Sequence, residues 1–229
     1  MTTQIHRLPL GFVNCFLIRG DMNILIDAGV QKDGAKLFQL LRESAVDPKD
    51  ISLVFLTHAH QDHTGALSAI KAFSNCKIAV NCHEAPWVEQ GCSPPLVATN
   101  PLGKFFGWFT RRFNRTTSNI QGTAVDWVLE DKEYSLESYG IRGKILYTPG
   151  HTSGSMSLLL ESGEAFIGDL VQNMSLFKNH PSLPFLVEDA QVIKTSIHYL
   201  VAEGARLIHP AHGTPFKVEA FERILNRKV

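Results

Sequence analysis

Thr57-His58-Ala59-His60-Gln61-Asp62-His63 places three imidazoles and one carboxylate within six residues. The preceding run from Ile51 to Leu56 is almost entirely apolar and predicts a buried strand, whereas Gly65 after the motif is expected to open a helix. The polar side chains should therefore lie at the carboxyl end of a strand, where open α/β sheets bind ligands. Imidazole and carboxylate together suit Zn, Fe or Mn. Burying these groups without a partner would be costly.

The spacing within the motif divides it into two parts. His58 and His60 are two residues apart, so on an extended segment both side chains point to one side and form half of a metal site. Asp62 and His63 fall on the following turn and could serve a second metal. The remaining ligands must come from distant parts of the sequence.

Three later polar residues each follow an apolar run and have a glycine beside them. They are His151 in Thr148-Pro149-Gly150-His151-Thr152, Asp169 in Ile167-Gly168-Asp169, and His212 in Pro210-Ala211-His212-Gly213. Glycine allows the backbone to approach a crowded site closely. We expect these strand-to-loop junctions to supply the missing ligands.

This combination of motifs resembles the metallo-β-lactamase-fold superfamily of hydrolases over nearly the whole chain. The H-x-H-x-D-H pattern is intact, the three later residues occur in the family's order, and the early aspartate motif appears as Leu25-Ile26-Asp27-Ala28-Gly29. The resemblance implies an α/β fold, a four-layer αββα sandwich, here a single domain over residues 1–229.

The same resemblance implies a site with two divalent metal ions, zinc being favoured over iron or manganese. It assigns His58, His60 and His151 to one metal, Asp62, His63 and His212 to the other, and Asp169 to both. Asp62 and Asp169 would also be catalytic, because they lie beside the attacking hydroxide that bridges the metals. Asp27 would orient a ligand by a hydrogen bond.

The motif does not determine the reaction, because the superfamily includes several hydrolases and also iron oxygenases. We favour a small-molecule ester, thioester or lactone, since the ligand set is that of the glyoxalase II-like group. The chain ends soon after His212, so we expect it to lack the helical region that binds glutathione in full-length glyoxalase II. The alternatives are a mononuclear iron persulfide dioxygenase using His58, His151 and Asp169, a phosphodiester or RNA hydrolase, and a noncatalytic metal-binding relative.

Composition suits a globular enzyme: 44% of the 229 residues are hydrophobic and 19% are charged. The formal net charge is +0, which argues against nucleic acid as the substrate. No apolar run approaches the ~18 residues of a transmembrane helix, and the amino terminus lacks the apolar core of a signal peptide. The four cysteines form no CxxC pair, so we expect reduced thiols and a cytoplasmic protein.

Hydrophobic periodicity predicts strands near 12–18, 23–26, 51–56, 77–80, 144–147, 155–160, 165–167 and 206–209, and helices around 37–41, 67–73 and 188–203. Residues 93–119 depart from this alternation, with apolar side chains at helical spacing among prolines and glycines. A packed surface helix, an aromatic lid, a homodimer contact and a membrane-surface helix all remain open for this segment. Residues 173–186 follow Asp169 and could contact substrate.

Overall fold

The computed structural model describes residues 3–95, 120–174 and 180–226. Its first sheet comes from the amino-terminal part of the chain: β1 (Gln4–Leu10), β2 (Val13–Arg19), β3 (Asn23–Ile26), β4 (Ile51–Phe55), β5 (Lys77–Asn81) and β6 (Trp127–Leu129). The second sheet comes from the remainder: β7 (Tyr134–Ser135), β8 (Gly143–Tyr147), β9 (Met156–Leu160), β10 (Glu164–Phe166), β11 (Leu207–His209) and β12 (Phe216–Lys217).

The helices of the described chain flank these sheets. They are α1 (Gly34–Glu43), α2 (Gln61–Thr64), α3 (Leu67–Ser74), α4 (Ala85–Gln90), α5 (Ala190–Ala202) and α6 (Glu222–Leu225). Short 3-10 turns occur at Gln31–Asp33, Pro48–Asp50, Glu137–Tyr139 and Val218–Phe221.

Strand order is sequential in both sheets, β1-β2-β3-β4-β5-β6 and β12-β11-β10-β9-β8-β7. In the first sheet β1, β2 and β3 pair antiparallel, and β3 to β6 pair parallel. In the second sheet the neighbours are antiparallel except for the parallel pair β10 and β11. Parallel strands buried on both faces account for the unbroken apolar run in β4.

Alternation along the strands separates the core into layers. Ile24 and Ile26 of β3 pack between the two sheets, against residues of the second sheet such as Phe166. Leu25, between them in sequence, points to the other face and packs with Leu37 of α1. A third cluster covers the outer face of the second sheet with α5 and α6. The order helix, sheet, sheet, helix confirms the predicted αββα sandwich.

The structure adds strands that the sequence analysis missed. β1 carries Pro9 and pairs only with β2, which is the edge position that proline tolerates. β6, β7 and β12 contain two or three residues each, too few to show a period. The predicted helix over 188–203 forms over Ala190–Ala202, and the Asp189 side chain caps it by accepting from the Gln191 and Val192 N–H groups.

Of the segments 93–119 and 173–186, each falls only partly within the described residues. The apolar stripe of the first segment lies outside them: Leu102, Phe105, Phe106, Phe109 and Phe113. Of the segment after Asp169, the described part is joined to its surroundings by isolated bridges from Gln172 to Ser182 and from Asn173 to Gly213. The second bridge places this segment beside the loop that carries His212.

Within the described residues, the structure contains no helix long and apolar enough to cross a membrane.

The layered core predicts that two Phe→Ala substitutions lower the free energy of unfolding by different amounts. Phe55 is fully buried between the sheets, so Phe55→Ala should lower the free energy of unfolding by about 3–5 kcal/mol. Phe73 is 49% exposed on α3, and Phe73→Ala should change the free energy of unfolding by about 0.5 kcal/mol. Urea unfolding of both variants measures the difference, and equal losses would contradict this packing.

Candidate metal centre

Strand direction brings four loops to one edge of the sandwich. β8 and β10 are both antiparallel to β9, and β11 is parallel to β10, so these three strands end at the same edge. The loops that follow them carry His151, Asp169 and His212. The loop after β4 carries the H-x-H-x-D-H motif and meets the β9 strand, since the Met156 N–H donates to the Thr57 carbonyl at 2.9 Å.

Three histidines form a first cluster. His58 Nε2 and His151 Nε2 lie 2.9 and 3.0 Å from His60 Nδ1, so one nitrogen from each ring faces a common point. All three side chains are buried. Burial lowers the pKa of each imidazole, that of His60 to about 3, with the charge of neighbouring histidines adding to the effect at His58. The rings are therefore neutral at pH 7, which is the form that binds metals.

Two histidines and two aspartates form a second cluster beside the first. His212 Nε2 lies 3.3 Å from Asp62 Oδ2 and 3.3 Å from Asp169 Oδ1. His63 Nε2 lies 3.5 Å from Asp169 Oδ1 and 3.9 Å from Asp62 Oδ2. Imidazole nitrogens and carboxylate oxygens thus converge as they do in divalent metal sites.

The Asp169 carboxylate lies between the two clusters. Its Oδ1 faces His63 and His212, and its Oδ2 lies 3.6 Å from His151 Nε2 of the first cluster. This is the arrangement that a carboxylate shared by two cations requires. The position follows from Gly168, whose φ is +51° and where a Cβ would lie 2.6 Å from Thr57 Oγ1.

The second cluster is a network of opposite charges. Burial opposes ionisation, but Asp169 and Asp62 outweigh it and raise the pKa of His212 to about 10. The carboxylates of Asp27, Asp62 and Asp169 likewise outweigh burial and raise the pKa of His63. Against the same burial, the charge of His63 helps to lower the pKa of Asp62 to about 2, and His212 and His63 lower that of Asp169.

Hydrogen bonds fix the ring nitrogens that face away from the clusters. His63 Nδ1 lies 2.8 Å from Asp27 Oδ2, His58 Nδ1 lies 3.1 Å from Thr57 Oγ1, and His212 Nδ1 donates to the Phe12 carbonyl at 2.8 Å. With Nδ1 occupied, each of these rings presents Nε2 to its cluster.

Asp27 connects the end of β3 to the histidine motif. Its carboxylate, 2% exposed, accepts from the Thr57 N–H at 2.8 Å and from Thr57 Oγ1 at 2.9 Å as well as meeting His63. Its backbone has a φ of 60°, a left-handed conformation that aspartate tolerates better than most residues. Asp27 thus contacts a histidine of the second cluster without facing the cluster itself.

The donor atoms fit a divalent cation. His63 Nε2 and Asp169 Oδ1 are buried, and neither has a hydrogen-bond partner within the described part of the chain. Leaving such atoms unsatisfied costs about 1–3 kcal/mol each. A cation bound between them would satisfy both.

Sequence reasoning missed several residues that hold the loops in place. Asn14 is buried in β2, and its side-chain amide donates to the carbonyls of Ala211 and Gly213 on either side of His212, at 3.0 and 2.9 Å. A polar residue within the apolar run 12–18 was the available signal. Phe12, half exposed at the tip of the β1–β2 turn, stacks on the His212 ring with a centroid separation of 5.5 Å.

Comparisons with known proteins agree with this geometry. The family model of the metallo-beta-lactamase superfamily matches residues 8–212. The probable metallo-hydrolase MJ0888 of Methanocaldococcus jannaschii is 33% identical over 149 residues, which are 65% of this chain and 63% of that protein. The atrochrysone carboxyl ACP thioesterase of Aspergillus fumigatus is 26% identical over 210 residues, 90% of this chain and 52% of that protein.

A solved structure shares the fold at low identity. The BLEG-1 B3 metallo-beta-lactamase superposes with a TM-score of 0.70 at 19% identity, covering 98% of this chain and all of that one. The match to MJ0888 spans less than two thirds of that relative's length. Metallo-hydrolase relatives and the two ligand clusters support a metal-dependent hydrolase. As its H-x-H-x-D-H motif predicted, the chain belongs to the metallo-beta-lactamase superfamily.

Proposed function

We propose that this protein is a binuclear metal-dependent hydrolase that cleaves a small-molecule ester, thioester or lactone. The observation that carries the proposal is the Asp169 carboxylate, whose two oxygens face different ligand clusters. A second cluster of four buried or half-buried donors beside the three histidines supports two metals rather than one.

Each of the two clusters would bind one metal. His58, His60 and His151 would hold one metal, Asp62, His63 and His212 would hold the other, and Asp169 would bind both. Imidazole-rich donor sets of this kind suit zinc, and iron or manganese could replace it. When bound, a metal pair lowers the pKa of water towards neutrality and polarises a carbonyl oxygen.

The chain's own residues would position the metals and balance their charge. Asp169 would place negative charge between the two cations and so reduce their repulsion. Asp62 is the more exposed carboxylate of the second cluster and would orient the attacking water. Asp27 and Thr57 hold the rings of His63 and His58 through Nδ1.

Two observations support an ester, thioester or lactone as the substrate: the position of Phe12 and the name of one relative. The exposed Phe12 ring is stacked with His212 and offers an apolar surface beside the second cluster. Phe12 would bind the apolar part of a substrate whose reacting carbonyl faces the clusters. The thioesterase named among the relatives is in keeping with an activated acyl group as the bond that is cleaved.

Metal content and activity test the proposal together. Protein purified without chelator should contain more than one equivalent of metal, chiefly zinc, and should hydrolyse members of a panel of thioesters, esters and lactones. Chelation should abolish the activity, and zinc should restore it. A single iron equivalent with oxygen-dependent turnover of a persulfide would instead establish the dioxygenase alternative.

Asp169→Asn should separate the bridging role from the supporting role of Asp27. We expect Asp169→Asn to lose one metal and to lower kcat/KM at least ~100-fold, the scale seen when metal-site partners are removed. Asp27→Asn should retain more metal, because Asp27 contacts a ligand rather than the cation. Elemental analysis and steady-state kinetics give both values. Greater metal loss from Asp27→Asn would mean that the two roles are assigned wrongly.

The two clusters should differ in the pH dependence of zinc binding. His63 and His212 are protonated at pH 7 without metal, so zinc must displace those protons. Affinity at the second cluster should rise from pH 6 to 9, about tenfold per pH unit for each proton released. The first cluster should change little, because burial keeps its histidines neutral.

Competition with a chromophoric chelator at several pH values measures the two affinities. Calorimetry in buffers of different ionisation enthalpy counts the protons released. Identical pH slopes for the first and second zinc equivalents would contradict the charge network described above.

A further inference from the structure

We infer that Glu84 is a positioning residue for the three-histidine cluster, although it touches none of the three rings. This inference rests on the metal binding proposed above. Glu84 follows β5, immediately before α4, and is 2% exposed. A buried carboxylate requires hydrogen-bond donors, and those of Glu84 are the backbones of two ligand loops.

Each oxygen of Glu84 binds a different loop. Oε2 accepts from the Ala59 N–H at 2.8 Å, and Ala59 lies between His58 and His60. Oε1 accepts from the Gly154 N–H at 3.3 Å, in the turn that follows His151. The first loop follows β4 in one sheet, and the second follows β8 in the other. One side chain therefore joins the two sheets at the cluster.

Glu84 adds to the Met156–Thr57 backbone bond in setting the spacing of the cluster. The nitrogen of His151 lies 3.0 Å from that of His60 although the two residues come from different sheets. A metal site needs its donors held within roughly 0.5 Å of their working geometry. Glu84 accepts one backbone N–H from each loop, so it is suited to hold the two backbones at this separation.

Close packing around Glu84 supports the assignment independently. A Cβ at Gly154 would lie 2.5 Å from Glu84 Cγ and 2.9 Å from Asn81 Oδ1, so a larger residue there would push the His151 loop away from Glu84. Asn81 is itself held in place, because its side chain accepts from the His83 N–H at 2.8 Å and donates to Asp131 at 2.9 Å. Hydrogen bonds thus hold the chain that leads into Glu84.

The test compares zinc binding in Glu84→Gln, Glu84→Asp and a matched control. Glu84→Gln keeps the shape but removes the charge and turns an amide NH2 towards one of the two N–H donors. Its affinity for the first zinc equivalent should fall about tenfold or more, as for other residues that support metal ligands. Asp126→Asn, which alters a carboxylate that accepts from the Ile78 N–H near the other end of β5 and is bonded to neither ligand loop, should bind zinc like the wild type.

Thermal melting distinguishes positioning from general stability. In Glu84→Gln the fall in Tm should be larger for the zinc-loaded protein than for the metal-free protein, because the lost interaction supports the metal ligands. Gly154→Ala should reproduce the loss of zinc affinity. Unchanged zinc affinity in both Glu84 variants, or an equal loss in Asp126→Asn, would overturn the inference. A wild-type protein that binds neither zinc, iron nor manganese would instead refute the proposed function itself.

Discussion

At one edge of the sandwich, the fold must accommodate five imidazoles and two carboxylates that are buried or half-buried. Groups of this kind leave water only when their charges and lone pairs are satisfied. Part of that requirement is met by pairing within the protein, as between Asp27 and His63. The ligand atoms that remain unpaired, such as His63 Nε2 and Asp169 Oδ1, are those that a cation would satisfy. The metal site thus consists of polar atoms that the protein does not pair with one another.

Much of the fold was predictable because most residues of its central strands are apolar. The strand before His58 and the strands before His151, Asp169 and His212 all formed where the sequence indicated. Their shared direction then explains why side chains up to 154 positions apart, from His58 to His212, meet at one edge. The family resemblance supplied the grouping of these residues, which periodicity alone could not give.

The supporting residues were not predictable in the same way. Glu84 stands in a stretch that reads as an ordinary helix start, and only the fold shows that its carboxylate joins two ligand loops. Asn14 lies in an apolar strand, and its role depends on a loop almost two hundred residues away. Long-range contacts of this kind leave no local pattern. The edge strand β1 was missed because its single paired neighbour permits proline and polar residues.

The central claim is that Asp169 lies between two metals. A crystal structure of the zinc-loaded protein, with anomalous diffraction measured on both sides of the zinc absorption edge, tests it most directly. Two anomalous peaks ~3.5–4 Å apart, one on each cluster with the Asp169 carboxylate between them, are the predicted result. A single peak on His58, His60 and His151, with Asp62, His63 and His212 still paired to one another, would contradict the binuclear account.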